Sequence, residues 1–283
     1  MNQQFDDTSD LKLGAGILPF TFLNNNKPLL LFQKLSKGRK KGLLVDFGGK
    51  VEEEEKIKIF CSQAEEEEKN KSDFSGKENK SLSQNLENDD NNILYKENII
   101  NLARETKTDY YLKIAIREFN EETGGLLEFE GELNESEREK KKGEIENKKD
   151  FILTNLEKNW GIHFEKELKK DKKVILEDEV LKSKELVRKS EEDYQFVEEN
   201  QQKNKLYRSF KTNTNGVYFM YLLPIRYFDP NLLNEIYENF FEKKREFEWI
   251  ELETVLSKKN IIPLHPRIEK AENLFEILSQ IRL

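Results

Sequence analysis

The sequence predicts an α/β fold with a mixed central sheet, interrupted by two long polar insertions rich in glutamate and lysine. Short apolar, β-prone runs between turn signals predict strands near both ends of the chain. Apolar residues at helical spacing predict amphipathic helices between and after those strands. Two segments of different composition, 56–109 and 131–206, separate these parts, and we interpret both as insertions.

Size and composition favour one ordinary domain within a highly charged chain. Of the 283 residues, 36% are hydrophobic, and the 19 phenylalanines among them are sufficient for a core. Charged residues make up 37%, well above the average of about a quarter. When the insertions of 54 and 76 residues are set aside, 153 residues remain, which is the size of the single domain that we assign to 11–283.

Charge and cysteine content exclude several classes of protein. The formal net charge of −8 argues against bulk electrostatic binding of nucleic acid. The single cysteine, Cys61, excludes an internal disulfide and a zinc site built from cysteines. Because the first ten residues are acidic and no apolar run reaches 18 residues, we expect neither a signal peptide nor a membrane span. A cytoplasmic location is the simplest interpretation, with the nucleus as the intracellular alternative.

The first three predicted strands form a meander. They are the runs GAGILPFTF, PLLLFQKL and GLLVDFGG, separated by NNNK and SKGRKK turns. The insertion at 56–109 is predicted to be largely flexible, with one helix near 93–104. The insertion at 131–206 is predicted to be partly helical, because its apolar residues fall at helical spacing.

The final third of the chain returns to a globular pattern. We predict a buried central strand at 216–225, an amphipathic helix at 230–246, a strand at 247–252 and a helix at 266–281. A short strand, LLEFE, is also expected near residue 128.

The stretch IREFNEETGG places three glutamates and an arginine on a helix predicted for 109–123, which two glycines close. At about 100° per residue, Glu118, Glu121 and Glu122 share one arc beside an apolar stripe. Carboxylates at this spacing repel one another unless they spread into solvent or share a cation such as Mg²⁺. Arg117, four residues before Glu121, can orient a carboxylate. The apolar stripe consists of Leu112, Ala115, Ile116 and Phe119. Taken alone, this helix is more simply a solvated charged face.

A second segment, DFGGKVEEEE at 46–55, changes that interpretation. Its two glycines end an apolar strand, where a backbone carbonyl can face a metal or a phosphate. Together with REFNEETGG it resembles the Nudix box, a glycine and a glutamate with five residues between them, followed after seven further residues by Arg-Glu-apolar-x-Glu-Glu-x-Gly and an apolar residue. The matching positions are Gly49, Glu55, Arg117, Glu118, Phe119, Glu121, Glu122 and Gly124.

The match departs from the family pattern in two places. Gly125 stands where an apolar residue is usual, and 61 residues, Lys56 to Ile116, fill a gap that normally holds seven. The excess of 54 matches the insertion recognised from composition. Because loop-closure entropy grows slowly with length, an insertion at this loop is tolerable. The resemblance extends to the strands AGILPF, LLLFQK, VYFMYLLPI and FEWIELETV, and it implies the Nudix α/β/α sandwich.

The resemblance implies an enzyme that hydrolyses a diphosphate linked to another group, often a nucleoside, with Mg²⁺ or Mn²⁺ as cofactor. It implies Glu118 and Glu122 as the strongest metal ligands, with Glu121 as a ligand or base. The Gly49 carbonyl is implied as a further ligand, and Arg117 and Glu55 as residues that orient the others.

Substrate contacts are expected at the basic loop KLSKGRKK, which precedes the glycine strand. Lys34 and Arg39 are candidate anion contacts, together with Gly48 and Gly49. An ordinary solvated turn is an equally good interpretation of this loop. Trp249 is a candidate for base stacking, although a core position is the more common role of such a tryptophan.

Three classes of function stay open. The first is a diphosphate hydrolase that acts on a small nucleotide or on another diphosphate, such as an inositol pyrophosphate. An mRNA cap is a further possible substrate of this class, but the acidic net charge makes RNA less favoured. The second is a catalytically inactive Nudix-like binding module, in which the insertion has displaced Glu55. The third is an interaction protein that uses its Glu/Lys-rich segments. The sequence leaves the oligomeric state open.

Overall fold

The structure is a computed structural model that describes residues 12–23, 27–35, 41–51, 109–131, 149–168, 174–200, 207–213, 216–258, 261–269, 271 and 274. The described strands are β1 (Lys12–Leu23), β2 (Lys27–Lys34), β3 (Leu44–Val45), β4 (Phe47–Lys50), β5 (Tyr207–Asn213), β6 (Gly216–Pro224) and β7 (Glu246–Glu251). The described helices are α1 (Asp109–Thr123), α2 (Lys149–Trp160), α3 (Phe164–Glu167), α4 (Glu177–Leu181), α5 (Lys184–Asn200), α6 (Pro230–Phe240), α7 (Leu252–Lys258) and α8 (Pro266–Glu269). The helix expected near 93–104 lies outside the described residues.

The seven described strands form one mixed sheet. Its main order is β3-β2-β1-β6-β5, while β4 pairs with β1 and β7 pairs with β2. Strands β1 and β6 run parallel, and the other pairings are antiparallel. The predicted α/β class with a mixed central sheet is therefore confirmed.

Strand β1 is buried on both faces because its side chains alternate between two apolar clusters. Leu13 and Ile17 belong to the larger cluster, to which α1, α2, α5 and α6 contribute. Leu18 and Phe20 belong to the smaller cluster, to which α7 and α8 contribute. Helical residues therefore pack on both sides of this strand, and α1 lies on the side of Leu13 and Ile17.

The segment predicted as the second insertion, 131–206, contains helices α2 to α5. Their buried apolar residues belong to the larger cluster and include Phe151, Ile152, Leu156, Leu186 and Val197. Three side chains of α2 also donate hydrogen bonds to the carbonyls that follow α1: Asn155 to Leu126, Asn159 to Gly125 and Trp160 to Gly124. These helices thus support the end of α1 as well as the core. The proposed insertion boundaries stay a prediction.

Two elements differ from their predicted extents. Helix α6 ends at Phe240 and not at Glu246, because Phe241 is extended and the N–H of Glu242 bonds to the carbonyl of Ile175. The LLEFE run makes one isolated bridge, from Phe129 to Ile225. Of the helix predicted for 266–281, Pro266–Glu269 and Leu274 are helical and Ala271 is not; the other residues lie outside the described part of the chain, so the end of this helix stays a prediction.

A search for membrane spans among the described residues found no helix with the length and apolar character to cross a bilayer.

Candidate functional site

Helix α1 positions the glutamates by burying its opposite face. The four residues of the predicted stripe are fully buried: Leu112, Ala115, Ile116 and Phe119. Gly124 and Gly125 follow the helix with φ of 61° and 64°, a left-handed conformation that glycine adopts readily. The side chains of Glu118, Glu121 and Glu122 are 15%, 16% and 18% exposed. The three carboxylates therefore lie at the edge of the core and not on a solvated face.

Glu118 lies directly against Gly49 of β4. A Cβ atom at Gly49 would stand 2.2 Å from Oε2 of Glu118, so the carboxylate occupies the space that any other residue would fill. Strand β4 reaches this place because Gly48 and Gly49 pair with Gly16 and Ala15 of β1. The two halves of the split motif are thus in contact.

Arg117 links two of the carboxylates. Its Nη2 lies 3.0 Å from Oε1 of Glu118, and its Nη1 lies 3.0 Å from Oε1 of Glu121. One guanidinium therefore offsets the repulsion between two carboxylates that the helix holds close together.

Glu122 is held by donors from two strands and from the segment before β7. Its Oε2 accepts from the Gly48 N–H at 2.9 Å and from Nε2 of Gln33, while its Oε1 accepts from Nη1 of Arg245 at 3.1 Å. Arg245 also donates to Oε1 of Gln33, which closes the network. The Tyr237 hydroxyl donates to the backbone carbonyl of Glu122 at 2.7 Å, and burial raises its pKa so that it stays a donor.

The three glutamates line one cleft of about 220 Å³. Its other wall comes from α4 and from the segment between α6 and β7, where Lys243 pairs with Glu177 at 2.6 Å. The lining residues are Glu118, Glu121, Glu122, Ile175, Glu177, Val180, Leu181, Tyr237, Phe241, Lys243 and Arg245.

A second polar cluster supports the glycine strand from the opposite side. Asp46 is fully buried; its carboxylate accepts from the Tyr218 hydroxyl at 2.6 Å and from Nε of Arg267 at 2.5 Å. Burial raises the pKa of Tyr218 well above its ordinary value, so that its hydroxyl remains a donor. Burial has the largest single effect on Arg267 and lowers its pKa, but the charges of Asp46, Tyr218 and Glu122, together with the hydrogen bond to Asp46, outweigh burial and raise the pKa. The cluster fixes the residue two positions before Gly48.

Several predicted substrate contacts are not part of this cleft or lie outside the described residues. Lys34 pairs with Glu246 at 3.1 Å and does not line the cleft. The Trp249 ring packs against Phe228, and its Nε1 donates to the Phe228 carbonyl. Arg39 and Glu55 lie outside the described residues, so their expected roles stay predictions.

Sequence reasoning missed Gln33 and Arg245. Gln33 gave a usable signal, because it is the uncharged polar residue of the apolar run PLLLFQKL. In the structure it is only 3% exposed. Arg245 gave none, since it stands in the charged run EKKRE. Its position follows from the pairing of β2 with β7, which sets Gln33 opposite Phe247.

The donor set suits a hard divalent cation in its chemistry, since the cleft offers carboxylate oxygens beside the backbone of Gly49. The carboxylates are nevertheless not assembled around one point. Among the residues that the structure describes, no group of three acidic, histidine or cysteine side chains is arranged to hold an ion. Arg117 pairs with Glu118 and Glu121, whereas Arg245 pairs with Glu122, so different arginines hold the three carboxylates. A metal therefore fits if an arginine releases its carboxylate.

Comparisons of this chain with models of protein families, with curated proteins and with solved structures found no match.

Proposed function

We propose that this chain is a Nudix-type pyrophosphohydrolase with the α/β/α sandwich of that family. In this proposal it hydrolyses a diphosphate linkage in a nucleoside diphosphate derivative and depends on Mg²⁺ or Mn²⁺. The observation that carries the proposal is the contact between the two half motifs. Although 61 residues separate them, Glu118 lies against Gly49 and Glu122 accepts from the Gly48 N–H.

The roles of the residues follow from their contacts. Glu118, Glu121 and Glu122 would hold the metal with the Gly49 carbonyl, and the ion would supply a positive charge that activates water and stabilises the charge developing on phosphate oxygens. Arg117 orients two of these carboxylates. Gln33 and the Gly48 N–H orient the third. The partly enclosed cleft limits the water around the reacting groups.

The assignment is tested by Glu122→Gln in the full chain. Because the amide lacks the charge that attracts a divalent cation, Mg²⁺-dependent phosphate release should fall by roughly a hundredfold or more. The measurement is a panel of nucleoside diphosphate derivatives, dinucleoside polyphosphates, inositol pyrophosphates and capped RNA, with Mg²⁺ or Mn²⁺. Thermal unfolding establishes that the variant folds.

The matched control is Glu199→Gln, which changes an exposed glutamate of α5 outside the cleft. It should keep the wild-type rate on every compound that the wild type hydrolyses. Equal rates for Glu122→Gln and Glu199→Gln would remove Glu122 from the metal site.

One observation favours a second candidate, a Nudix-like binding module without catalysis. In the structure each of the three carboxylates already accepts from an arginine, an arrangement that is stable without a metal. Calorimetric titration with Mn²⁺ separates the two candidates. The hydrolase must bind the ion, whereas a module that uses the arginines as permanent partners need not.

A further inference from the structure

Arg245 belongs to the cleft wall opposite α1 and contacts one of the carboxylates of that helix. Its side chain is 13% exposed and contacts Glu122 through Nη1. The same nitrogen donates to Gln33 Oε1. Phe241, Lys243 and Arg245 alternate along the segment between α6 and β7, and all three line the cleft. One short segment therefore presents two cations to the cavity that the glutamates line.

The side chains that line the cleft carry a net negative charge before any ion is bound. Four glutamates, Glu118, Glu121, Glu122 and Glu177, face two cations, Lys243 and Arg245, which leaves two net negative charges. A single divalent ion neutralises them. The cleft without an ion thus repels an anion such as a diphosphate, and a bound ion removes that repulsion.

The contact between Arg245 and Glu122 conflicts with metal binding. A divalent ion on Oε1 of Glu122 competes with the guanidinium for the same oxygen and repels its charge. A guanidinium has five N–H donors in a planar fork, so Arg245 can lose this bond and keep its bond to Gln33. The released donors suit phosphate oxygens, which arginine binds through paired hydrogen bonds.

We propose that Arg245 and Lys243 form a diphosphate-binding subsite, and that Arg245 exchanges Glu122 for a substrate phosphate when a divalent ion binds. This subsite rests on the proposed function, because it assumes a metal at the glutamates. It makes metal and substrate bind in order, since the cation must first free the arginine and neutralise the charge of the cleft.

The exchange predicts opposite effects of one substitution on two ligands. In Arg245→Gln the competing charge is gone, so Mn²⁺ should bind roughly threefold to tenfold more tightly. Methylenediphosphonate, a diphosphate analogue that is not hydrolysed, should bind roughly tenfold more weakly in the presence of saturating Mn²⁺. Both constants are measured by isothermal titration calorimetry on the full chain. A residue that only supports Glu122 would weaken both affinities when replaced.

Two further variants keep the test decisive. Arg226→Gln removes an arginine that pairs with Glu128 outside the cleft, and it should leave both affinities at their wild-type values. Arg245→Lys keeps the charge without the fork, so Mn²⁺ affinity should stay within about twofold while diphosphonate affinity falls. If Arg245→Gln does not unfold cooperatively, the subsite is tested with Arg245→Lys instead. Unchanged diphosphonate affinity in Arg245→Lys overturns the subsite.

The results also separate this inference from the proposed hydrolysis. Weaker binding of both ligands in Arg245→Gln, or behaviour identical to Arg226→Gln, overturns the subsite while wild-type phosphate release can persist. Opposite shifts in the two affinities, in a protein that releases phosphate from no compound of the panel, support the subsite and overturn hydrolysis.

Discussion

At the scale of single residues, Gly49 sets the distance between strand β4 and the carboxylate helix. A Cβ atom there would stand 2.2 Å from Oε2 of Glu118, so Gly49→Ala must move the carboxylate away. The cost in stability should be small, because the displaced atoms end a side chain that can rotate. Mn²⁺ affinity should nevertheless fall roughly tenfold, since a ligand oxygen leaves its place. Calorimetric titration with Mn²⁺ and thermal unfolding of the same sample measure both effects.

Gly131→Ala is the matched control, because the nearest atom to a Cβ at Gly131 is Oδ1 of Asn200 at 3.3 Å, outside the cleft. The control should keep both the unfolding temperature and the Mn²⁺ affinity. If Gly49→Ala binds Mn²⁺ as well as Gly131→Ala does, the contact between Gly49 and Glu118 has no role in metal binding.

At the scale of elements, the short helix α8 is joined to the glycine strand through Arg267. Arg267→Met leaves the fully buried carboxylate of Asp46 with its charge but without its cationic partner. An uncompensated buried charge of this kind costs about 3–5 kcal/mol, so the free energy of unfolding in urea should fall by that amount. The measurement is the urea midpoint and slope of the variant against the wild type.

A double substitution tests the cause of that loss. Asp46→Asn together with Arg267→Met removes both charges and keeps an acceptor for the Tyr218 hydroxyl. It should therefore be more stable than Arg267→Met alone. A loss below about 1 kcal/mol in the single variant would mean that water or another group compensates Asp46, and that α8 contributes little to the position of Gly48.

The elements also show why some features of the site were predictable and others were not. Helix α1 has the predicted bounds, 109–123, because its apolar stripe and the following glycines are local signals. Predicting that Gly49 lies near Glu118 required the resemblance to the Nudix box. Composition alone marks the residues between them as an insertion and does not connect the two segments. The donors Gln33 and Arg245 lie 89 and 123 positions from Glu122, and the strand pairing that sets them side by side, β2 with β7, joins residues about two hundred positions apart. Nothing local to Arg245 encodes that pairing.

At the scale of the whole molecule, the α/β class and the mixed sheet could be predicted because the apolar runs of the strands are visible in the sequence. The residues at which helices and strands end were harder to predict from the sequence, because they depend on tertiary contacts. Helix α6 stops at Phe240 because the next residues pair with the segment at Ile175, which belongs to the stretch predicted as an insertion. The helices of that stretch share the core, whereas 56–108 lies outside the described residues.

The residues on either side of the gap belong to the larger apolar cluster, and this supports a prediction for the whole chain. Val51, the last described residue before the gap, is 4% exposed, and Tyr111 and Leu112 after it are fully buried in the same cluster. Replacing residues 56–108 with a Gly/Ser linker of about ten residues should therefore keep cooperative unfolding, because a shorter loop changes the closure entropy little. The free energy of unfolding should stay within about 1 kcal/mol of the wild type. Since Glu55 is retained, Mn²⁺ affinity should be kept as well. A noncooperative transition in urea would show that the insertion belongs to the core, and cooperative unfolding with lost Mn²⁺ affinity would show that it shapes the metal site.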